Sequence, residues 1–86
     1  MNMTNNIQIK LNRKPEVLEQ LGFKKSTLHT RIKEGLMVPP VSLGGRSVAW
    51  PEHELQTVLR AMCAGKSSDE IKQLVTELVS KRSELV

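Results

Sequence analysis

Residues 16–34, EVLEQLGFKKSTLHTRIKE, decide the fold. Val17, Leu18 and Leu21 recur at helical spacing. Gly22 follows, where a helix end wants a residue that accepts positive φ. Phe23 is apolar and fits the corner between two helices. Lys24 and Lys25 open a second helix whose apolar residues Leu28, Ile32 and Leu36 stand four apart, and Gly35 ends it. The pattern predicts helix 1 over 15–21 and helix 2 over 25–34. Two short helices joined by a tight Gly-containing turn form a helix-turn-helix, whose second helix enters the major groove of DNA.

Working outward, Pro15 suits the first helical position, because its missing N–H costs nothing there, and Glu16 complements the helix dipole. Upstream, Ile7, Ile9 and Leu11 alternate, which predicts a short strand or an extended arm over 1–12. Downstream, Pro39 and Pro40 stop any helix and force extended chain. VSLGGRSVAW, residues 41–50, then reads as a hairpin turning at Gly44-Gly45. That turn puts Leu43 opposite Arg46 and Val41 opposite Val48. Val41, Leu43, Val48 and Trp50 would share one apolar face, with Ser42 and Ser47 on the other. A hairpin directly after a helix-turn-helix is a wing. Pro51 begins a third helix with Glu52 and Glu54 in its first turn, a stripe of Leu55, Val58, Leu59 and Met62, and Gly65 at its end. Ser67-Ser68-Asp69-Glu70 is a capping box for a fourth helix, about Ser68 to Arg82, with the stripe Ile71, Leu74, Val75, Leu78 and Val79. The expected fold is mainly α: a winged helix-turn-helix (13–63) with a two-stranded β-hairpin wing, an N-terminal arm (1–12) and an extra C-terminal amphipathic helix (67–86).

Charge points to a partner. Residues 1–50 hold eight basic and three acidic side chains, a net +5, whereas residues 51–86 hold five basic and six acidic ones, a net −1. The positive excess therefore lies in the half that carries the helix-turn-helix, the electrostatic footprint of phosphate binding. Phe23 and Trp50 are the only aromatics. That disfavours RNA and single-strand modules, which stack bases on several rings. A single cysteine, Cys63, excludes an internal disulfide and a multi-Cys zinc site. No apolar run is long enough to span a membrane, and MNMTNNIQIK lacks a signal-peptide core, so the expected location is the cytoplasm. Two distant histidines, one cysteine, no tyrosine and no phosphate loop leave an enzyme without parts, and no cofactor or metal is expected. LGGR is a lone glycine pair and makes no P-loop.

The segments PEVLEQLGF (15–23), STLHTRIKEGL (26–36) and PPVSLGGRSVAWPEHE (39–54) resemble the AlpA family of small phage and prophage regulators, allied to the MerR-like and excisionase winged helices. The likeness covers about half the chain, and PPV, LGGR and VAWPE at this spacing are its most specific part. It implies double-stranded DNA binding, with helix 2 in the major groove and the LGGR hairpin on backbone or minor groove. It also implies regulation of prophage or integrase functions, or assistance to excision. Lys24 stands where the family often has a serine, so helix 2 lacks the usual N-cap oxygen. His29 and Thr30 stand where an aromatic and a basic residue are common, and Lys14 where an apolar one is.

On a helical wheel, Leu28 and Ile32 mark the buried direction of helix 2. Ser26, Thr30 and Lys33 point away from it, with His29 on one flank and Thr27 and Arg31 on the other. The expected DNA-binding set is Lys24, Lys25, Ser26, Thr27, His29, Thr30, Arg31, Lys33 and Arg46. Lys25, Ser26, His29 and Thr30, early in the helix, are the base-edge candidates. Arg31 and Lys33 suit phosphates, and an intrahelical pair with Glu34 is the competing role for Arg31. Arg46 at the wing tip suits a phosphate or a narrow minor groove; its competing role is to cover Leu43 with its stem. Arg13 and Lys14 are weaker backbone clamps. Trp50 reads as core, Cys63 as a small, partly buried side chain, and His53 as exposed. The leading function is a sequence-specific transcriptional regulator. The alternatives are an excision factor that bends DNA for an integrase and a protein-interaction adaptor using the C-terminal helix. An integrase or RNA polymerase is the candidate protein partner. Docking of the last helix on helix 3 is favoured over a homodimer through the same stripe.

Overall fold

The computed structural model describes residues 8–85. In chain order it has β1 (Leu11–Asn12), α1 (Lys14–Leu21), α2 (Lys25–Lys33), β2 (Val41–Gly44), β3 (Ser47–Pro51), α3 (Glu52–Cys63) and α4 (Ser68–Ser80), then a 3₁₀ turn over Lys81–Leu85. It is a winged helix-turn-helix, mainly helical, with a small antiparallel sheet. α1 and α2 lie within a residue of their expected bounds. α1 closes as its sequence asks: Gly22 takes φ 69°, and the Phe23 N–H donates to the Leu18 carbonyl at 3.1 Å. The same six-residue closure recurs after α2, where Leu36 donates to Arg31 at 2.8 Å, and after α3, where Lys66 donates to Ala61 at 3.1 Å.

The sheet order is β1-β3-β2, so the wing hairpin gains a third strand from the N-terminal segment. Leu11 pairs with Pro51 and Asn12 with Trp50. Of the alternating residues, Ile7 lies outside the described residues, and Ile9 precedes the strand. The hairpin register differs from expectation. Val41 pairs with Ala49, Ser42 with Val48 and Gly44 with Ser47. The turn residues are Gly45-Arg46, and Leu43 is one residue too many in β2, a bulge. Both glycines accept positive φ, with Gly44 at 104° and Gly45 at 55°. Gly44 uses that freedom in the bulge instead of the turn. Leu43 thereby leaves the apolar face and is 47% exposed.

One core joins every helix: Val17 of α1, Leu28 of α2, Met37 and Val38 of the connection, Trp50 of β3, Leu55 and Val58 of α3, and Ile71 and Val75 of α4. Trp50 is core, as its place on the hairpin suggested, and its indole N–H donates to the Val38 carbonyl at 3.1 Å. α4 lies against α3, with Leu78 and Val79 packed on the shared core. Its capping box is formed: the Ser67 hydroxyl accepts from the Glu70 N–H at 3.2 Å, and the Glu70 carboxylate accepts from the Ser67 N–H at 2.9 Å. The α-helix ends at Ser80, short of the expected Arg82. Cys63 is exposed, contrary to expectation, because it sits on the outer side of the last turn of α3.

Past Ser80, the chain turns back over the domain. Arg82 donates from Nε to Glu54 Oε2 at 3.0 Å and from Nη2 to Glu54 Oε1 at 2.6 Å. The same Nη2 donates to the Pro39 carbonyl at 2.7 Å. Glu54 is 1% exposed, so this is a buried ion pair. It ties the chain's last turn to the start of α3 and to the segment between α2 and the wing.

Candidate nucleic-acid interface

α2 is held by Leu28, fully buried, and Ile32, half-buried against the core. Anchoring those two turns the opposite side of the helix outward. Lys24, Lys25, Ser26, Thr27, His29, Thr30 and Lys33 are all exposed. No acid interrupts them until Glu34, which is the C-cap. Lys24 is the N-cap and supplies no side-chain hydrogen bond. Among the described residues, the first-turn N–H groups of α2 therefore have no side-chain acceptor, which favours an anion at that end.

Arg31 behaves differently from its neighbours. It is half-buried, and its guanidinium carbon lies 5.5 Å from the centre of the Phe23 ring. Its Nε is buried without a hydrogen-bond partner among the described residues. No ion pair with Glu34 forms among the described residues. The cation has folded onto the aromatic corner of the helix-turn-helix, a contact of about 0.5–2 kcal/mol. Phe23 thus plugs the corner and also aims a cation, a role that spacing on one helix could not reveal.

Lys14, at the start of α1, donates from Nζ to His29 Nε2 at 3.1 Å. An imidazole accepting at Nε2 carries its own hydrogen on Nδ1, so the pair combines a half-buried lysine ammonium with an N–H donor on exposed His29. Arg13 is the N-cap of α1, and its backbone N–H donates to Glu16 at 2.8 Å. Lys10 is less available, as it pairs with Glu52 at 3.5 Å. On the wing, Arg46 is exposed in the turn beside Gly45. Leu43, on the other side of the two glycines, is exposed as well. His53 is exposed on α3, as expected.

Residues outside the expected set also shape the interface. Asn12 is 3% exposed and donates from Nδ2 to Glu52 at 3.4 Å, fastening β1 to the start of α3. Glu54 and Arg82 are 28 residues apart and brace the segment that leads from α2 to the wing. The sequence marks Glu54 only as a first-turn acid of α3 and Arg82 only as the expected end of α4; the place of Glu54 on the flank of the α3 apolar stripe is the one sign of burial. Among the described residues, no helix is long and apolar enough to cross a membrane.

A family model described as "Prophage CP4-57 regulatory protein (AlpA)" matches residues 10–61, which span both helices of the helix-turn-helix, the wing and most of α3. A protein of Enterobacteria phage P4, described as "Uncharacterized protein ORF88", is 39% identical over 54 residues, 63% of this chain and 61% of the relative. The match thus spans about three fifths of that protein's length. No solved structure matches.

Proposed function

Since the chain belongs to the AlpA family of prophage regulatory proteins, we propose that it regulates prophage or mobile-element genes by binding double-stranded DNA at specific sites. The observation that carries this reading is the outer face of α2, exposed from Lys24 to Lys33 apart from Arg31 and free of acids, on a helix that directly follows a tight corner. Lys25, Ser26, His29 and Thr30 read base edges in the major groove. Lys24, Thr27, Lys33 and Arg46 hold phosphates, and Lys14 joins them through its contact with His29. Arg31 steadies the corner against Phe23 and presents the rest of its guanidinium to the backbone. The mechanism is binding without chemistry, and the protein works in the cytoplasm, where its DNA is.

The excision-factor role would use this same surface and differ in where the sites lie: at an attachment locus instead of beside a promoter. The adaptor reading gains no support, because Ile71 and Val75, the centre of the stripe it needs, are buried in the protein's own core.

Salt dependence tests the proposal. Counterion release gives a slope of log affinity against log salt of about −0.9 per phosphate contact. About five contacts then give a slope of roughly −4 to −5 on a mixed-sequence duplex. A slope near zero, or no duplex binding at low salt, overturns it.

A further inference from the structure

The wing tip is Leu43-Gly44-Gly45-Arg46, and its leucine stands where a regular hairpin would not put it. With a Gly44-Gly45 turn, Leu43 would join Val48 and Trp50 on the apolar face. The bulge instead makes it the surplus residue of β2 and turns it outward. The Ser42 hydroxyl accepts from the Gly44 N–H at 3.2 Å and holds that arrangement. Single exposed leucines are ordinary on protein surfaces. This one is 47% exposed, the most of any large apolar residue among the described residues, and the others so exposed, Ile9, Leu11 and Leu85, lie towards the chain's ends. Bulges re-aim side chains and gather near functional sites.

The tip is also thin. A Cβ on Gly44 or Gly45 would meet nothing within 4 Å, and their positive φ values disfavour any side chain there. Leu43 and Arg46 therefore flank bare backbone. A cation beside an apolar side chain on such a tip suits a groove whose floor is stacked bases and whose walls are phosphates.

We propose that Leu43 is a wedge: from the minor groove it enters a base-pair step while Arg46 holds the adjoining backbone, so that binding unwinds the duplex. Pyrimidine–purine steps, which unstack most easily, are the preferred points of entry. This inference rests on the duplex-binding reading.

The test uses the full chain on a relaxed, closed circular plasmid with topoisomerase present. Protein is added until a mobility shift shows the DNA saturated; it is then removed and the linking number read. The wild type leaves a linking deficit that grows with bound protein. Leu43→Ser, brought to the same saturation, loses that deficit, and Leu43→Ile retains it. A saturated wild-type complex with unchanged linking number overturns the wedge and leaves duplex binding standing. So does a Leu43→Ser deficit equal to the wild type's. Absence of any mobility shift overturns the duplex-binding reading itself, and the wedge with it.

Discussion

Replacing Arg82 by methionine should weaken the fold far more than loss of a residue near the chain's last turn would suggest. Glu54 is 1% exposed, and Arg82 gives it hydrogen bonds at 2.6 and 3.0 Å and donates to Pro39 at 2.7 Å. Removing one partner of a buried pair strands the other charge and costs about 3–5 kcal/mol. The Arg82 side chain is 19% exposed, so water can reach part of the site, and the lower end, about 3 kcal/mol, is expected. In a domain of this size each kcal/mol moves the melting temperature by about 4–8 °C, which gives a fall of about 12–24 °C. The assay is thermal unfolding followed by Trp50 fluorescence and circular dichroism. Adding Glu54→Met to Arg82→Met removes the stranded charge and should recover all but about 1 kcal/mol, the Pro39 bond that neither methionine replaces. If Arg82→Met melts within about 3 °C of the wild type, where the scale above predicts several times more, the pair is not a buried brace. A double variant no more stable than the single one would refute the stranded-charge argument.

Three further outcomes follow from the geometry. Arg46→Ala should weaken binding to all duplexes by a similar factor and reduce the salt slope by about 1, whereas Thr30→Ala or His29→Ala should change which site is preferred; an Arg46→Ala effect confined to site preference contradicts the wing assignment. Leu74→Glu, on the stripe beside buried Ile71 and Val75, should lower the melting temperature without changing the mass in sedimentation, and a dimer turned into a monomer would show instead that the stripe joins two copies. The Glu70 carboxyl is held below its ordinary value of 4.5 by the Ser67 backbone N–H first and the Ser67 hydroxyl second. A depressed carboxyl stabilises the folded chain above that ordinary value and loses its effect as pH falls through the lowered one. Glu70→Gln should therefore lose stability at neutral pH but little at pH well below the lowered value, read from melts across that range; an equal loss at both ends counts against it.

Periodicity and glycine placement made the helices legible, because Val17, Leu28 and Trp50 had to share an interior and Gly22 had to take positive φ. The turn of the wing was not legible, since two adjacent glycines permit two registers, and the bulge that distinguishes them is held by the Ser42 hydroxyl on the Gly44 N–H. The exposed face of α2 followed from its two anchors, Leu28 and Ile32. The contact of Arg31 with Phe23 was not legible from its own helix, because Phe23 lies across the corner from it. Glu54 and Arg82 escaped notice for a general reason: charged residues read as solvated singly, and a pairing over 28 positions has no local signature.

The brace at Glu54 also changes what can be exchanged between relatives. The family match stops at residue 61, yet the guanidinium that completes this domain's interior comes from position 82. A chimera that transplants residues 10–61 into another member would carry a buried acid away from its base. A graft that moves DNA preference intact must therefore take both residues together, or replace both with apolar ones. The unit of inheritance recognised by similarity is shorter here than the unit that folds.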